Sequence, residues 1–499
     1  SNRNRSAAAA TAAALAAIVL GGCSRPAPEA FREPSRAVQA VESNVQALQA
    51  WAGAKARADV LVHVDAVDDM AVFPPSLSGQ IGSAADALAR GDAAGIDRLA
   101  PLLESGGTVN LWYQAGLYRR VVWVVPAAGS VGAASVENFR AVLAARRGYS
   151  AADLADLRAS GNAITGTIGG VPLSVTTLED LDVGEERAVI DIDLGWFVGR
   201  QGQDPSCRPG TASLLSVIRV LARTRIPAVY VTITRHAPSR SVPLDIRYYS
   251  EVIEEILADP ELITGPLPPL YATMIQAEES LVAGRYGEAR ALYLDLTSRR
   301  GDMAGLHFSL GLVEGFLDNA GRSREALLKA YRLDQGYLPA FLQLARVLAG
   351  MGLVETGEFL LATPDLVNLV PDAEMDYQKG FFYIEAGRPY DAITWLQRVA
   401  GRREDDFAVR TVLRKAYEDI GDGEKETRVL EELLSIDESR VERDMPWVYK
   451  RLGRLYETAG TASRAAEAYA RYLDLVGDDP DASRLRAVID QRGRGRSGP

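Results

Sequence analysis

The feature that most constrains this chain is a glycine-containing turn that recurs through its second half. From about residue 269 onward, short turns separate stretches in which apolar residues have helical spacing. The turn glycines stand at positions 284, 321, 352, 387, 421 and 460, at intervals of 37, 31, 35, 34 and 39 residues. A single helix–turn–helix unit cannot bury its own apolar face, so neighbouring units must stack. The pattern therefore predicts an all-α solenoid over residues 269–482, followed by a disordered tail over residues 483–499.

The period near 34 residues resembles the tetratricopeptide repeat. Small residues follow four of the turns, and tyrosines supply bulk to the stack. These residues are Ala289, Ala326, Ala392, Ala465, Tyr293, Tyr331, Tyr383, Tyr417, Tyr456 and Tyr469. The third unit, with Thr363-Pro364 inside it, matches the motif least well. The resemblance implies a concave groove that binds a protein or a peptide.

The first half has a different pattern, in which short β-branched runs alternate with helical stretches. Helical spacing is found over residues 37–56, 84–90, 134–145, 212–224 and 248–258. The predicted strands cover residues 60–64, 121–125, 163–168, 173–176, 188–194 and 228–234. Buried strands that alternate with helices are typical of an α/β fold with a mostly parallel sheet. We therefore expect an α/β domain over residues 37–262, joined to the repeats by a short, stiff linker over residues 263–268.

The N-terminal residues have the pattern of a bacterial targeting segment. A positive head at Arg3 and Arg5 precedes an apolar run from Ala7 to Leu20, which is short for a membrane span. Small residues before Cys23 resemble a lipobox, which implies cleavage after residue 22 and acylation, including palmitate, at Cys23. A proline-rich tether then covers residues 23–36. The lipid anchor is expected to lie in the outer membrane, facing the periplasm. The alternative to cleavage is that the apolar run remains as an uncleaved anchor helix.

Charge and cysteine content exclude two further classes of function. The formal net charge of −11 argues against non-specific nucleic-acid binding, which needs a basic face. The chain has two cysteines, and acylation of Cys23 would leave Cys207 without a disulfide partner. A nucleophilic role for Cys207 would need a nearby base, and the sequence supplies none.

Acidic residues cluster at or near the ends of two predicted strands. The first cluster is Asp65, Asp68 and Asp69, and the second is Asp191 and Asp193. Ligands gather at the carboxyl ends of parallel strands, so we expect these clusters to face one crevice. Carboxylates brought together at neutral pH need a cation, and hard divalent ions such as Mn²⁺ are the natural partners.

Four sequence blocks in residues 58–258 resemble the UPF0489 family, whose fold is similar to arginases and histone deacetylases. The blocks are HVDAVDDM (63–70), NLWYQAGLYRRVVWVVP (110–126), DIDLGWF (191–197) and VTITRHAPS (231–239). The resemblance implies a three-layer α/β fold. It also implies a metal pair whose bridging hydroxide attacks a guanidinium or amide carbon.

The resemblance places metal ligands at Asp65, Asp69, Asp191 and Asp193. The chain departs from the motif at Val67, which stands where the family has a histidine, and at Gly195, which stands where the family usually has another acid. Two histidines are candidates to replace the missing ligand. His63 shares a strand face with Asp65, but it lies deeper in the strand, where a packed, hydrogen-bonded side chain is the favoured interpretation. His236 follows another strand end and is the better candidate for a ligand or a catalytic general base.

Two functions from different classes fit these patterns. In the first, the α/β domain is a degenerate arginase-like domain, and the protein is an envelope scaffold that binds partners through its repeats. In the second, the protein is a divalent-metal hydrolase that acts on arginine or amide groups of a peptide held by the repeats. The valine at position 67 favours the first, because a metal site that loses its imidazole loses a strong ligand.

Overall fold

The computed structural model describes residues 38–54, 57–65, 108–126, 136–147, 149–197, 228–235, 244–259, 266–403, 405–477 and 479–495, with isolated residues between 79 and 95, at 131, between 214 and 226, and at 262. The chain divides into two compact units between Ala283 and Gly284. Within the described residues, no helix is both long and apolar enough to cross a membrane. The predicted targeting segment, the tether, Cys23 and Cys207 lie outside the described residues. The helices predicted over 84–90 and 212–224 are described only at isolated residues.

The first unit is built on one eight-stranded sheet, ordered β1-β8-β7-β2-β3-β6-β5-β4. Its strands are β1 (Val38–Val41), β2 (Val60–Val64), β3 (Arg120–Val124), β4 (Arg158–Ser160), β5 (Ala163–Ile168), β6 (Val171–Thr176), β7 (Ala188–Asp193) and β8 (Ala228–Thr234). Strands β1 to β3 and β6 to β8 pair in parallel, whereas β4, β5 and β6 pair antiparallel at one edge. The predicted mostly parallel α/β sheet is confirmed.

Three helices bury one face of this sheet. They are α1 (Asn44–Ala54), α2 (Thr108–Gln114) and α3 (Val136–Arg147), and they share a core with apolar side chains of β2, β3, β6 and β7. Trp51 of α1 and Trp112 of α2 meet in this core, with ring centroids 4.2 Å apart. Two further helices among the described residues, α4 (Tyr249–Ala258) and α5 (Pro269–Val282), also belong to the first unit. The solenoid was predicted to begin at residue 269, directly after the linker over residues 263–268. The boundary between the two compact units lies one helix later, after α5.

The helix predicted over residues 37–56 is only partly correct. Helix α1 begins at Asn44, and Val38–Val41 instead forms β1, which pairs in parallel with Val231–Thr234. Apolar residues at Val38 and Val41 fit a helical spacing when they are read locally. The pairing that makes this segment a strand joins residues far apart in sequence, so no local pattern reports it.

The second unit consists of helix after helix. Its helices are α6 (Tyr286–Arg299), α7 (Ala304–Phe316), α8 (Ala320–Leu333), α9 (Ala340–Gly350), α10 (Val354–Leu361), α11 (Pro364–Leu369), α12 (Asp372–Glu385), α13 (Pro389–Ala400), α14 (Phe407–Ile420), α15 (Gly423–Asp444), α16 (Trp447–Thr458), α17 (Ala462–Val476) and α18 (Ala482–Gly495). Successive helices pack as neighbours, as in α7 with α8, α12 with α13, and α16 with α17. The predicted all-α, tetratricopeptide-like solenoid is confirmed. The short helix α11 begins at Pro364, the proline that marked the third unit as irregular.

One turn of the array is made by a residue other than the predicted glycine. Gly284, Gly352, Gly387, Gly421 and Gly460 have φ between 65° and 82°. The remaining left-handed turn residue is Asp318, with φ 60°, whereas Gly321 is the second residue of helix α8. The intervals between turn residues are then 34, 34, 35, 34 and 39, so the true period is more regular than the glycines indicate.

The C-terminal tail that was predicted to be disordered from residue 483 forms α18 over most of its length. Leu485 is fully buried against the preceding helices, and Val488 and Ile489 pack beside it. The arginine- and glycine-rich composition suggested an unfolded tail. The three apolar residues have helical spacing, however, and their side chains cover the last apolar face of the helical array. Residues 496–499 lie outside the described part of the chain.

Candidate functional site

The acidic residues of the two predicted clusters that the structure describes converge at the ends of neighbouring strands. In the sheet, β2, β7 and β8 lie side by side in the order β8-β7-β2. His63 pairs in register with Asp191, and Asp191 pairs with Thr232. Because side chains alternate along a strand, residues two apart share a face. Asp65 and Asp193 therefore lie on the same face as His63 and Asp191, each one pleat closer to the carboxyl end.

All of these side chains are buried. His63, Asp65 and Asp193 are each 1% exposed, and Asp191 is completely inaccessible. They lie on the sheet face that carries Trp123, whose indole nitrogen donates to the main-chain oxygen of Asp65 at 2.9 Å. Charged groups in such a place must be paired or hydrogen-bonded, because desolvation of an isolated carboxylate costs many kcal/mol.

Asp191 is the centre of the hydrogen-bonding pattern. Thr232 donates its hydroxyl to Oδ1 of Asp191 at 2.6 Å, and Thr234 donates to the same oxygen at 3.3 Å. Nδ1 of His63 lies 3.2 Å from the other oxygen, Oδ2. Oδ1 of Asp191 therefore accepts two hydrogen bonds from β8, whereas Oδ2 lies within ion-pair distance of His63 and has no hydrogen-bond partner among the described residues.

His63 bridges the two acidic clusters. Its Nδ1 faces Asp191, and its Nε2 lies 3.6 Å from Oδ2 of Asp65. The imidazole thus occupies the space between two carboxylates that would otherwise repel each other. The ring of His63 is therefore within ion-pair distance of both carboxylates.

Gly195 leaves space beside the remaining carboxylate. The main-chain nitrogen of Gly195 donates to Oδ1 of Asp193 at 2.6 Å. A Cβ atom at position 195 would lie 2.8 Å from that same oxygen and 3.8 Å from Oδ1 of Asp65. An acidic side chain at this position would therefore displace Asp193, so the glycine belongs to the arrangement of this cluster.

No group of three or more His, Cys, Asp or Glu among the residues with described positions is arranged to hold a metal ion. Oδ1 of Asp191 accepts from Thr232 and Thr234, and Oδ2 lies 3.2 Å from Nδ1 of His63. Residues Val67, Asp68, Asp69 and His236 lie outside the described residues.

Two features of the cluster were not found from the sequence. Thr232 and Thr234 alternate along β8, which is a usual strand pattern, and only the pairing of β8 with β7 aims them at Asp191. Tyr118 donates its hydroxyl to the main-chain oxygen of Val109. Burial raises the pKa of Tyr118 well above its usual value, and the charge of Asp191 adds to the increase. Tyr118 is therefore neutral at physiological pH.

The second unit has two separate arginine–aromatic contacts on the first helices of successive hairpins, among similar contacts elsewhere in the array. The guanidinium of Arg346 on α9 lies 4.7 Å from the ring centre of Phe381 on α12, whose ring meets Tyr377 edge to face at 4.9 Å. Farther along, the guanidinium of Arg414 on α14 lies 4.9 Å from the ring centre of Trp447 on α16. We call these five residues the arginine–aromatic row. All five side chains are partly accessible, and Trp447 is 37% exposed.

Comparison with known proteins gives fold-level similarities only. No protein-family model matches the chain, and no curated protein matches it. Solved structures of helical repeat proteins are similar to its helical part. YrrB, described as a TPR protein with an unusual peptide-binding site, is 14% identical over 39% of this chain and 97% of its own, with a TM-score of 0.27.

Two further solved structures give similar values. The C-terminal part of a TPR repeat-containing protein from Cytophaga hutchinsonii is 12% identical over 48% of this chain and 97% of its own, with a TM-score of 0.35. PilF from Pseudomonas aeruginosa is 13% identical over 44% of this chain and 96% of its own, with a TM-score of 0.26. The repeat architecture described above rests on the helices and turns of this chain.

Proposed function

We propose that this protein is a lipid-tethered envelope scaffold that binds a protein or peptide partner through its helical repeats. The observation that carries the proposal is the arginine–aromatic row formed by Arg346, Tyr377, Phe381, Arg414 and Trp447. Arginine, tyrosine and tryptophan dominate the residues that contribute most to protein–protein binding. A stacked array also offers an extended surface of limited mobility, which lowers the entropic cost of binding.

Intramolecular contacts hold the side chains of the row in place. Nη2 of Arg346 lies 3.5 Å from Oε1 of Glu385 while the guanidinium stacks on Phe381. Nη1 of Arg414 lies 2.9 Å from Oε2 of Glu418. A partner therefore meets aromatic faces whose orientation is already set, and less side-chain freedom is lost on binding.

Site-specific photocrosslinking in the producing cell tests this surface. A photoreactive phenylalanine analogue at Tyr377 or Trp447 should form an adduct of one defined mass. The matched control is the same analogue at Tyr390, which is 72% exposed but lies on α13, outside the row. Adducts at Tyr390 alone, or equal adducts at all three positions, would contradict the proposal.

We further propose that the α/β unit is a degenerate arginase-like domain that does not hydrolyse a substrate. The support is that two threonines donate to Oδ1 of Asp191 and that His63 occupies the space between Asp191 and Asp65. Elemental analysis of the purified full chain tests this point. A stoichiometric transition metal that disappears in both Asp65→Ala and Asp191→Ala would overturn it, and would favour the metal-dependent hydrolase instead.

The tether is part of the same proposal. The residues around Cys23 resemble a lipobox, and several acyl chains on one residue give stable membrane attachment. Cys23→Ser should abolish incorporation of labelled palmitate and release the protein from the membrane fraction. Cys207→Ser is the control and should change neither result, because Cys207 is not adjacent to such a signal.

A further inference from the structure

A polar cleft lies at the carboxyl end of β6, away from the acidic cluster. Its volume is about 240 Å³, and its polar lining consists of Ser160, Asn162, Ser174, Thr176, Asp180 and Asp182. Ser174 pairs in register with Val122, whereas His63 pairs with Trp123, the next residue along β3. Because neighbouring residues of a strand point to opposite faces, the cleft and the His63 cluster lie on opposite faces of the sheet.

The cleft contains a hydroxyl group without a hydrogen-bond partner. Thr176, the last residue of β6, is only 4% exposed, and its Oγ1 has no partner among the described residues. Buried polar atoms in folded proteins nearly always have a partner. An unpartnered hydroxyl that lines a cavity therefore indicates a missing donor or acceptor in that cavity.

The charge of the cleft is negative. Asp180 accepts from the Asn162 side-chain amide at 2.9 Å and from the Thr177 hydroxyl at 3.3 Å, one bond to each carboxylate oxygen. Oδ1 of Asp182 accepts from the main-chain nitrogen of Gly184 at 2.9 Å. Among the described residues, neither carboxylate forms an ion pair with a lysine or an arginine. The two negative charges are therefore available to an external cation.

We propose that this cleft binds a primary ammonium group, with Thr176, Asp180 and Asp182 as acceptors. An ammonium carries three N–H donors that diverge from one compact charge. A guanidinium fits less well, because its planar fork prefers a carboxylate with both oxygens open on one side. Both oxygens of Asp180 and one oxygen of Asp182 are already engaged.

A bare metal ion also fits less well than an ammonium group. The described residues contain no group of three His, Cys, Asp or Glu that could hold a metal. A volume of about 240 Å³ has room for several carbon atoms beside the charge, and Val122 and Ala163 line the remaining wall. The ligand is therefore an alkylammonium, either a small amine or a lysine side chain of a protein. This inference does not depend on the proposed scaffold function.

Ligand-observed NMR titrations of the full chain test the proposal with n-butylammonium as the probe. We expect saturable binding with a dissociation constant on the order of millimolar, and no binding of n-butanol, which has the same shape without the charge. Asp182→Asn and Thr176→Val should each weaken binding about tenfold, the size of one hydrogen bond to a charged group. Glu185→Gln, an exposed charge change three residues beyond Asp182, should leave binding unchanged.

Thermal melts show whether each variant is folded. Removal of the Thr176 hydroxyl should leave the melting temperature equal or higher, because the folded protein gives that group no partner. Equal binding of n-butanol, or unchanged binding in both cleft variants, would overturn the proposal. Tighter binding of methylguanidinium or of Ca²⁺ than of n-butylammonium would also overturn it.

Two further probes distinguish the sources of the ammonium group. They are Nα-acetyl-lysine-N-methylamide, which represents a lysine side chain, and 1,4-diaminobutane, which represents a free amine. Tighter binding of the first supports a protein ligand, and tighter binding of the second supports a small-molecule ligand. Failure of both would count against the cleft as an amine site.

Discussion

At the scale of single residues, the contacts of Asp191 predict a large cost for its removal. In Asp191→Ala, the hydroxyls of Thr232 and Thr234 lose their shared acceptor inside the core, and His63 loses the carboxylate that lies 3.2 Å from its Nδ1. Loss of one partner from a buried charged network typically costs about 3 kcal/mol. Urea unfolding of the full chain should show a decrease of about that size in the free energy of unfolding.

The control for Asp191→Ala is Asp59→Ala. Asp59 is partly exposed, and its ion pair with the exposed Arg119 is 4.0 Å long, so we expect a change below about 0.5 kcal/mol. Equal, small effects of the two substitutions would show that Asp191 is solvated, contrary to the geometry described above.

A second prediction at this scale concerns the turn that the sequence assigned to Gly321. Gly321 lies in the first turn of α8, where an added Cβ meets no atom within 4 Å. Gly321→Ala should therefore raise the free energy of unfolding by up to about 1 kcal/mol, because alanine restricts the unfolded chain. Gly352→Ala should lower it by about 1 kcal/mol, because Gly352 has φ 82°. Thermal or urea unfolding distinguishes the two signs, and destabilisation by both substitutions would place the turn at Gly321 after all.

At the scale of elements, one hairpin of the solenoid breaks the pattern that the others share. Other hairpins have a small residue seven positions before the left-handed turn residue, namely Gly311, Ala345, Gly380 and Gly453. They also have a small residue five positions after it, namely Ala289, Ser323, Gly357, Ala392 and Ala465. In the α14–α15 hairpin, these two positions hold Arg414 and Glu426. A Cβ at Gly311, Gly380 or Gly453 would lie 2.7 Å or less from a side chain of the next helix. Small residues at these positions let the paired helices approach closely. In the α14–α15 pair, oppositely charged side chains occupy both positions.

The charged pair is held by a network inside the array. Glu426 is 1% exposed and accepts two hydrogen bonds of 2.7 Å from Arg451 of α16, while Nη1 of Arg414 lies 3.7 Å from its Oε1. Glu426→Ala should cost about 2 kcal/mol, since it removes two hydrogen bonds between charged groups and leaves two partly exposed guanidinium groups without this acceptor. The exposed Glu424→Ala is the control and should change stability by less than about 0.5 kcal/mol.

A double-mutant cycle tests whether Arg414 and Glu426 act as one unit. Arg414→Gly together with Glu426→Ala restores the small residues that most other hairpins have at these positions. We expect the double variant to lose at least about 1 kcal/mol less than the sum of the two single variants, as is usual for residues in one network. Strict additivity in urea unfolding would show that the two side chains are independent.

At the scale of the whole molecule, the sequence predicted both architectures but not the long-range pairings. Turn spacing and strand-like runs are local, so the solenoid and strands such as Val60–Val64 were predicted correctly. The convergence of Asp65 with Asp191 followed from the rule that parallel strands end at one edge. Strand β1, Asp318 and the threonines beside Asp191 escaped prediction, because each depends on residues distant in sequence.

The helical unit also predicts how the molecule responds to alkaline pH. Burial, followed by a hydrogen bond to a neighbouring glutamate, raises the pKa of four tyrosines to about 12; they are Tyr383, Tyr449, Tyr456 and Tyr469. The pKa of an unfolded tyrosine is about 10. A folded pKa above the unfolded value means that burial and hydrogen bonding of the neutral tyrosines contribute their full stability below pH 10, and that this stability is lost as the pH rises towards 12. We therefore expect the helical unit to lose stability in this window.

Tyrosinate absorbance during a pH titration measures this behaviour. In the native chain, a group of tyrosines should ionise near pH 12, after the exposed ones. Tyr456 donates its hydroxyl to Glu431 at 2.8 Å, so Glu431→Gln should lower the pKa of Tyr456 by removing the negative charge beside it. The exposed Glu424→Gln should leave the titration unchanged. If all tyrosines ionised together near pH 10 while the far-ultraviolet circular dichroism remained native, the tyrosine–glutamate bonds would not exist in solution. The stack would then depend on its apolar contacts alone for its resistance to base.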